Sequence, residues 1–129
     1  MHKIIFTFLF SFSMLFSAMS SEEINPKFLS KKIKIFDIRT LSEWKQTGVV
    51  KGSIPLTFFD EKGQYNVQSF LASLSKHLKK GETFALICAT GNRSLIVSDF
   101  LGKNGFNVIN LKGGVMQAMR NGVTLVAYK

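Results

Sequence analysis

Strand-like and helix-like rhythms of apolar residues take turns along this chain. Residues 33–38 (Ile-Lys-Ile-Phe-Asp-Ile), 84–88 (Phe-Ala-Leu-Ile-Cys) and 106–110 (Phe-Asn-Val-Ile-Asn) are short apolar runs of strand length. Residues 66–78 instead carry apolar side chains at 67, 70, 71, 74 and 78, the spacing of one helical face. Residues 94–103 bring Leu95, Ile96, Phe100 and Leu101 together, and the helix they predict should lay that face on a sheet. End signals agree. Asn25-Pro26 is an N-cap followed by a proline at the first helical position. Thr40 and Glu43 form a capping box for a short helix that carries Trp44 into the core and stops at Gly48. Gly52-Ser53-Ile54-Pro55 reads as a turn and a brief extended piece, and Lys80-Gly81 closes the 66–78 helix. Asn104-Gly105 ends the 94–103 helix, Gly113-Gly114 opens a last one over 115–120, and Asn121-Gly122 ends that. The tail, 123–128, is apolar and β-prone, suited to dock on the domain or on a partner. Alternating strands and helices imply an α/β fold.

The first twenty residues follow another rule. Met1-His2-Lys3 is a basic head, residues 4–16 are almost all Ile, Phe, Leu and Met, and Ala18-Met19-Ser20 is a small-x-small pattern. This is the pattern of a secretory signal peptide cut after Ser20. The alternative is an uncleaved anchor helix, for which the apolar run is short against the ~20 residues a span needs. The expected organisation is therefore a signal peptide, 1–20, and one domain, 21–129, in the periplasm or secreted, with no stable membrane insertion after cleavage. Five of the 13 Phe lie in the signal, so the composition overstates how aromatic the domain is.

Charge changes the picture little. Removing Lys3 from 17 basic residues leaves 16 against 8 acidic ones, or +8 for the domain. The lysines are scattered, which fits a solvated surface or steering of small anions and acidic partners. No aromatic-basic pattern points to nucleic acid. Cysteine usage is more telling. Cys88 is the only cysteine, so an internal disulfide and Cys-x-x-Cys exchange are both excluded. No Cys or His cluster has metal-ligand spacing, and no metal or cofactor is implied. His2 lies in the signal, and His77 sits among Lys76, Lys79 and Lys80 as a surface residue.

Cys88 begins the segment Cys88-Ala89-Thr90-Gly91-Asn92-Arg93-Ser94, between an apolar strand and a helix. A thiol there meets backbone N–H groups and the positive end of a helix dipole, which stabilise an anion. A free thiol is only a few per cent ionised at neutral pH, so a nucleophilic cysteine needs such help. The amides of 89–94 can turn inward around the sulfur, Gly91 permits a positive φ, Arg93 can take an anionic substrate with paired N–H groups, and Ser94 is placed to cap the helix. The plainer alternative is a small buried apolar residue followed by an ordinary turn.

Four segments in order resemble the rhodanese family of sulfurtransferases. They are Asp37-Ile38-Arg39-Thr40 with Glu43-Trp44; Gly48-Val49-Val50-Lys51-Gly52-Ser53-Ile54-Pro55; Cys88-Ala89-Thr90-Gly91-Asn92-Arg93-Ser94; and Gly105-Phe106-Asn107-Val108 followed by Leu111-Lys112-Gly113-Gly114. The likeness spans roughly residues 24–122. It implies a five-stranded, mainly parallel central sheet with helices on both faces. It also implies a reaction in which Cys88 takes sulfane sulfur from an anionic donor such as thiosulfate. The Cys88 persulfide then passes that sulfur to cyanide, a thiol or a protein acceptor. Ala89, Thr90, Gly91, Asn92, Arg93 and Ser94 would bind the substrate, with Asp37, Arg39 and Glu43 holding the scaffold through ion pairs. The aromatic residue usual after the closing Gly-Gly is replaced here by Met116 or Met119. A cysteine phosphatase needs five residues between Cys and Arg; this loop has four, too short a cradle for phosphate. The alternative function is a non-catalytic rhodanese-like module that binds a partner or carries sulfur. The expected state is a monomer.

Overall fold

The computed structural model describes residues 19–129. Of the signal peptide inferred above, 1–18 lie outside the described residues, while Met19 and Ser20 open strand β1 (Met19–Glu23). There follow α1 (Pro26–Leu29), β2 (Lys34–Asp37), α2 (Leu41–Thr47), β3 (Val49–Val50), β4 (Ile54–Pro55), α3 (Val67–Ser75), β5 (Phe84–Ile87), α4 (Asn92–Lys103), β6 (Val108–Lys112), α5 (Gly114–Arg120) and β7 (Leu125–Val126). The main sheet has the order β1-β6-β5-β2-β4, with every neighbouring pair parallel. A second, two-stranded sheet pairs β3 with β7 antiparallel, so the apolar tail docks on its own domain.

Side chains alternate across the sheet with period two. Ile35, Ala85, Ile87, Ile109 and Leu111 face one side, under Phe28 of α1 and Val115 and Ala118 of α5. Phe36, Phe84, Leu86, Cys88 and Val108 face the other, under Phe70 and Leu74 of α3 and Val97 and Leu101 of α4. Helices cover both faces, which is why the strands read as unbroken apolar runs rather than as alternating ones. Because the main strands are parallel, the segments that follow β2, β5 and β6 collect at one edge, outside their C-terminal ends.

Most of the local end signals work as expected, but the helix expected over 66–78 stops at Ser75, short of Lys80-Gly81, because the chain turns there with His77 N–H bonded to Leu74 O at 3.0 Å. Asn25 accepts the Phe28 amide at 2.8 Å, and Asn66 accepts that of Ser69 at 2.9 Å. Thr40 and Glu43 make the reciprocal capping box, and Gly48 ends α2 with φ of 82°. Trp44 is buried and its ring lies 5.3 Å from that of Tyr128.

Three further expectations are corrected. The 94–103 helix begins two residues earlier, at Asn92, and its cap is Gly91 with φ of 98°, not Ser94. Its buried face is Ser94, Val97, Ser98, Leu101 and Gly102, whereas Leu95, Ile96 and Phe100 are exposed. The reason is closeness. A Cβ on Gly102 would stand 3.1 Å from the Met19 backbone nitrogen, so β1 passes this helix where only small side chains fit. The last main strand is also shifted, to Val108–Lys112 from the expected 106–110. Phe106 donates its amide to Leu101 O at 3.1 Å and so belongs to the end of α4. Among the described residues no helix is long and apolar enough to cross a membrane.

Candidate active site

Strand β5 delivers Cys88 to the sheet edge, and the chain then turns through Ala89, Thr90 and Gly91 into α4. Two backbone groups point at the sulfur: Gly91 N–H at 3.1 Å and Ser94 N–H at 3.3 Å. The expected inward turn of the 89–94 amides is thus met at these two positions. The thiol in turn donates to Ser94 Oγ at 3.3 Å. Ser94 lies in the first turn of α4, wholly buried, and its hydroxyl donates to Asn110 Oδ1 at 2.6 Å.

The loop has a backbone seat. The first amides of α5 bind its carbonyls, Val115 N–H to Cys88 O at 2.9 Å and Met116 N–H to Ala89 O at 3.1 Å. Gly113 and Gly114 allow this approach. Both have positive φ, 76° and 62°, and a Cβ on Gly114 would stand 2.5 Å from the Ala89 carbonyl carbon and oxygen. A Cβ on Gly91 would meet Gly113 N at 2.8 Å. The glycine pair therefore fixes where β5 ends and the thiol begins.

Arg93, expected from the sequence to take an anionic substrate, is engaged by a carboxylate in this structure. Its Nη1 and Nη2 donate to Glu43 Oε1 and Oε2 at 2.8 and 2.7 Å, a bidentate pair across 50 residues of sequence. Glu43 Oε1 also accepts the Thr40 amide at 3.2 Å and the Thr40 hydroxyl at 3.1 Å. The Arg93 hydrogen bonds, helped by those from Thr40 against partial burial, hold the Glu43 carboxyl at about 2, far below the usual carboxylate range. The same bonds raise the Arg93 guanidinium further above its already high value. The capping box of α2 and the thiol loop are thereby joined through one carboxylate.

Asp37 and Arg39 sit one strand away. Arg39 donates from Nε to Asp37 Oδ1 at 3.0 Å and from Nη2 to Asp37 Oδ2 at 2.8 Å, with further bonds to Thr47 Oγ1 and Gly48 O. Both side chains are buried, as a scaffold pair should be. Ala89, Thr90 and Asn92 line the outer side of the loop, with Thr90 and Asn92 exposed. Cys88 itself has no exposed surface. Sequence reasoning missed Asn110 and the Glu43–Arg93 pairing. The signal for Asn110 was present: it interrupts the apolar residues of a strand that is buried on both faces.

A parallel α/β sheet that presents one thiol on the loop between a central strand and a helix defines a cysteine-centred α/β protein. The Rhodanese-like domain family matches residues 21–120, and the chain belongs to it. It is 28% identical over 104 residues to the Bacillus subtilis protein named "Putative sulfurtransferase YtwF", covering 76% of this chain and 90% of that one. A rhodanese-related protein from Thermoplasma volcanium superposes with a TM-score of 0.61 at 26% identity, over 83% of this chain and 99% of that one. A rhodanese-like domain protein from Staphylococcus aureus gives 0.58 at 23% identity, over 84% and 100%.

Proposed function

We propose that this protein is a sulfurtransferase that carries sulfane sulfur as a persulfide on Cys88. The observation that carries this is the pair of amides, from Gly91 and Ser94, aimed at the sulfur where α4 begins; they stabilise negative charge there. Family membership and the likeness to a sulfurtransferase-named relative support it. In the first half-reaction the Cys88 thiolate attacks the outer sulfur of thiosulfate. A new S–S bond forms, the donor S–S bond breaks, and sulfite leaves with the bonding pair. In the second, cyanide or an acceptor thiolate attacks the outer sulfur of the persulfide. Thiocyanate or an acceptor persulfide forms, and the Cys88 thiolate is released. Arg93 serves by holding the loop through Glu43, and the backbone amides receive the charge. Cys88 is fully covered, so access of a donor to the sulfur requires a local movement.

The test is intact mass. Thiosulfate should add one sulfur atom to the protein and cyanide should remove it. Cys88→Ser should fold and take up none. A wild-type mass unchanged under both treatments overturns the proposal.

One observation favours a second reading, a sulfur carrier or partner-binding module. Phe58, Phe59, Tyr65, Val67, Ile96 and Phe100 line an apolar hollow of about 370 Å³ on the helix that starts at the loop. Slow turnover with cyanide but fast transfer to a protein thiol would select the carrier, and no sulfur uptake at all the binding module.

We further propose that residues 1–20 direct export to the periplasm or medium and are removed after Ser20. That cut leaves three of the five β1 residues. N-terminal mass of the native protein tests it: a chain starting at Ser21 is expected, and one starting at Met1 overturns the proposal.

A further inference from the structure

The register of the sheet places a polar residue where β6 is otherwise apolar. Asn110 is opposite Leu86 on β5 and opposite Ser21 on β1. It lies between Ile109 and Leu111, which face away, so its side chain shares the face of Leu86 and Cys88. It is nearly fully buried, at 3% exposure. Burial of an amide in such a place is costly unless its hydrogen bonds are made. Asn110 makes them at both ends: Oδ1 accepts the Ser94 hydroxyl at 2.6 Å, and Nδ2 donates to Ser21 Oγ at 3.4 Å.

A serine hydroxyl has one hydrogen to give. Ser94 spends it on Asn110, with Gly91 O as a longer option at 3.3 Å. What it offers Cys88 is a lone pair, and the thiol donates to it at 3.3 Å. A protonated sulfur can use that lone pair and an ionised sulfur cannot. The two amides favour the anion; Ser94, in the orientation Asn110 imposes, favours the thiol. We propose that Asn110 is a positioning residue that governs the protonation of Cys88 by drawing the Ser94 hydroxyl hydrogen away from the sulfur. This rests on the reading of Cys88 as the reactive atom.

Two ion pairs lie near this region, and cleavage after Ser20 would add the α-ammonium of Ser21 beside Asn110. Arg93, on the helix, is bound to Glu43 of α2, and Asp37 of β2 is bound to Arg39. Arg93 still interacts with Cys88 through its charge, so the hydrogen bonds to the sulfur act on top of that field. A donor gained or lost at a charged atom is a large term on that scale.

The experiment follows the ultraviolet absorbance of the thiolate against pH, with Cys88→Ser as the blank. It needs neither reagent access nor sulfur transfer. Asn110→Leu leaves the Ser94 hydroxyl free to turn toward sulfur, and the thiolate fraction at fixed pH should rise by about threefold or more. Asn110→Asp accepts the hydroxyl more firmly and adds negative charge, so the fraction should fall by a similar factor. In a Ser94→Ala background the Asn110→Leu rise should vanish. Should Asn110→Leu fail to fold, Asn110→Val carries the same expectation. A role in packing alone would move the two variants together. Shifts of the same sign, no shift, or a rise that survives Ser94→Ala each overturn the proposal. A fall with Asn110→Leu overturns it too, since the amide would then donate to Ser94. Sulfur uptake by mass is a separate readout, so failure of the sulfurtransferase proposal leaves this result interpretable.

Discussion

Two ion pairs, Asp37–Arg39 and Glu43–Arg93, have the same chemistry and opposite settings. In the first, the arginine and aspartate side chains are 1% and 0% exposed, and in the second 31% and 26%. The buried pair spans the end of β2 and the end of α2, where Arg39 also holds Gly48 O. The half-exposed pair spans α2 and the thiol loop. A buried pair is held because removing one partner leaves a bare charge in a dry place. A half-exposed pair contributes little to stability, since water screens it. Its worth is positional: it keeps the loop that bears Cys88 in one register with the rest of the sheet edge. The scaffold and the site are therefore fastened by like means at different strengths.

The largest expected effect breaks the buried member. Arg39→Leu strands the Asp37 carboxylate and should destabilise the fold by about 3–5 kcal/mol, measured by chemical denaturation. Adding Asp37→Leu should recover much of this, because two apolar side chains leave no unpaired charge. Next comes Gly114→Ala, which separates the loop's backbone seat from its ionic tether. A side chain at φ of 62° against the Ala89 carbonyl should be destabilising by about 1–3 kcal/mol from backbone strain, before the clash is counted. Sulfur uptake by Cys88 should fall with it.

Glu43→Gln should be smaller, within about 1 kcal/mol of wild type in stability. It should nonetheless slow sulfur uptake, because the loop loses its tether. If stability falls as far as in Arg39→Leu, the contrast between the pairs is wrong. The pH dependence of this tether has a definite sign. Glu43 is held at about 2, below its ordinary 4.5, so the folded state prefers the carboxylate. Its contribution is complete above about 4.5 and is lost as the pH falls through about 2. The stability difference between wild type and Glu43→Gln should thus be flat from neutral pH to about 4.5 and shrink below it. Smallest of all is the effect of salt. High ionic strength should narrow the Glu43→Gln difference and leave that of Arg39→Leu unchanged.

Much of this molecule could be read along the chain because it depends on near neighbours. Asn25, Thr40 and Gly48 act on amides or turns within four residues, so their sequence signals were sufficient. The apolar runs became strands for the same reason. The segment from Cys88 to Ser94 was legible as a unit joining a strand to a helix, though the helix begins inside it, at Asn92. The face of α4 was not. Apolar content favoured Leu95, Ile96 and Phe100, but the helix turned Ser94, Ser98 and Gly102 inward beside β1 and β6. An apolar stripe marks the buried face only where there is room for it, and room is a property of the neighbouring elements. The pairing of Arg93 was not legible for a related reason: its partner lies 50 residues away.

The sequence by itself determined the alternation of most strands and helices, several of their ends, and the presence of one thiol where a strand meets a helix. These follow from local hydrogen bonding, backbone freedom and hydrophobic period. Tertiary structure alone decided which distant residues hold the loop around the sulfur. Glu43 claims Arg93, Asn110 claims the Ser94 hydroxyl, and Gly113-Gly114 seats the loop, because strand register and helix approach bring distant residues within hydrogen-bonding reach. Local signals carry no information about those distances.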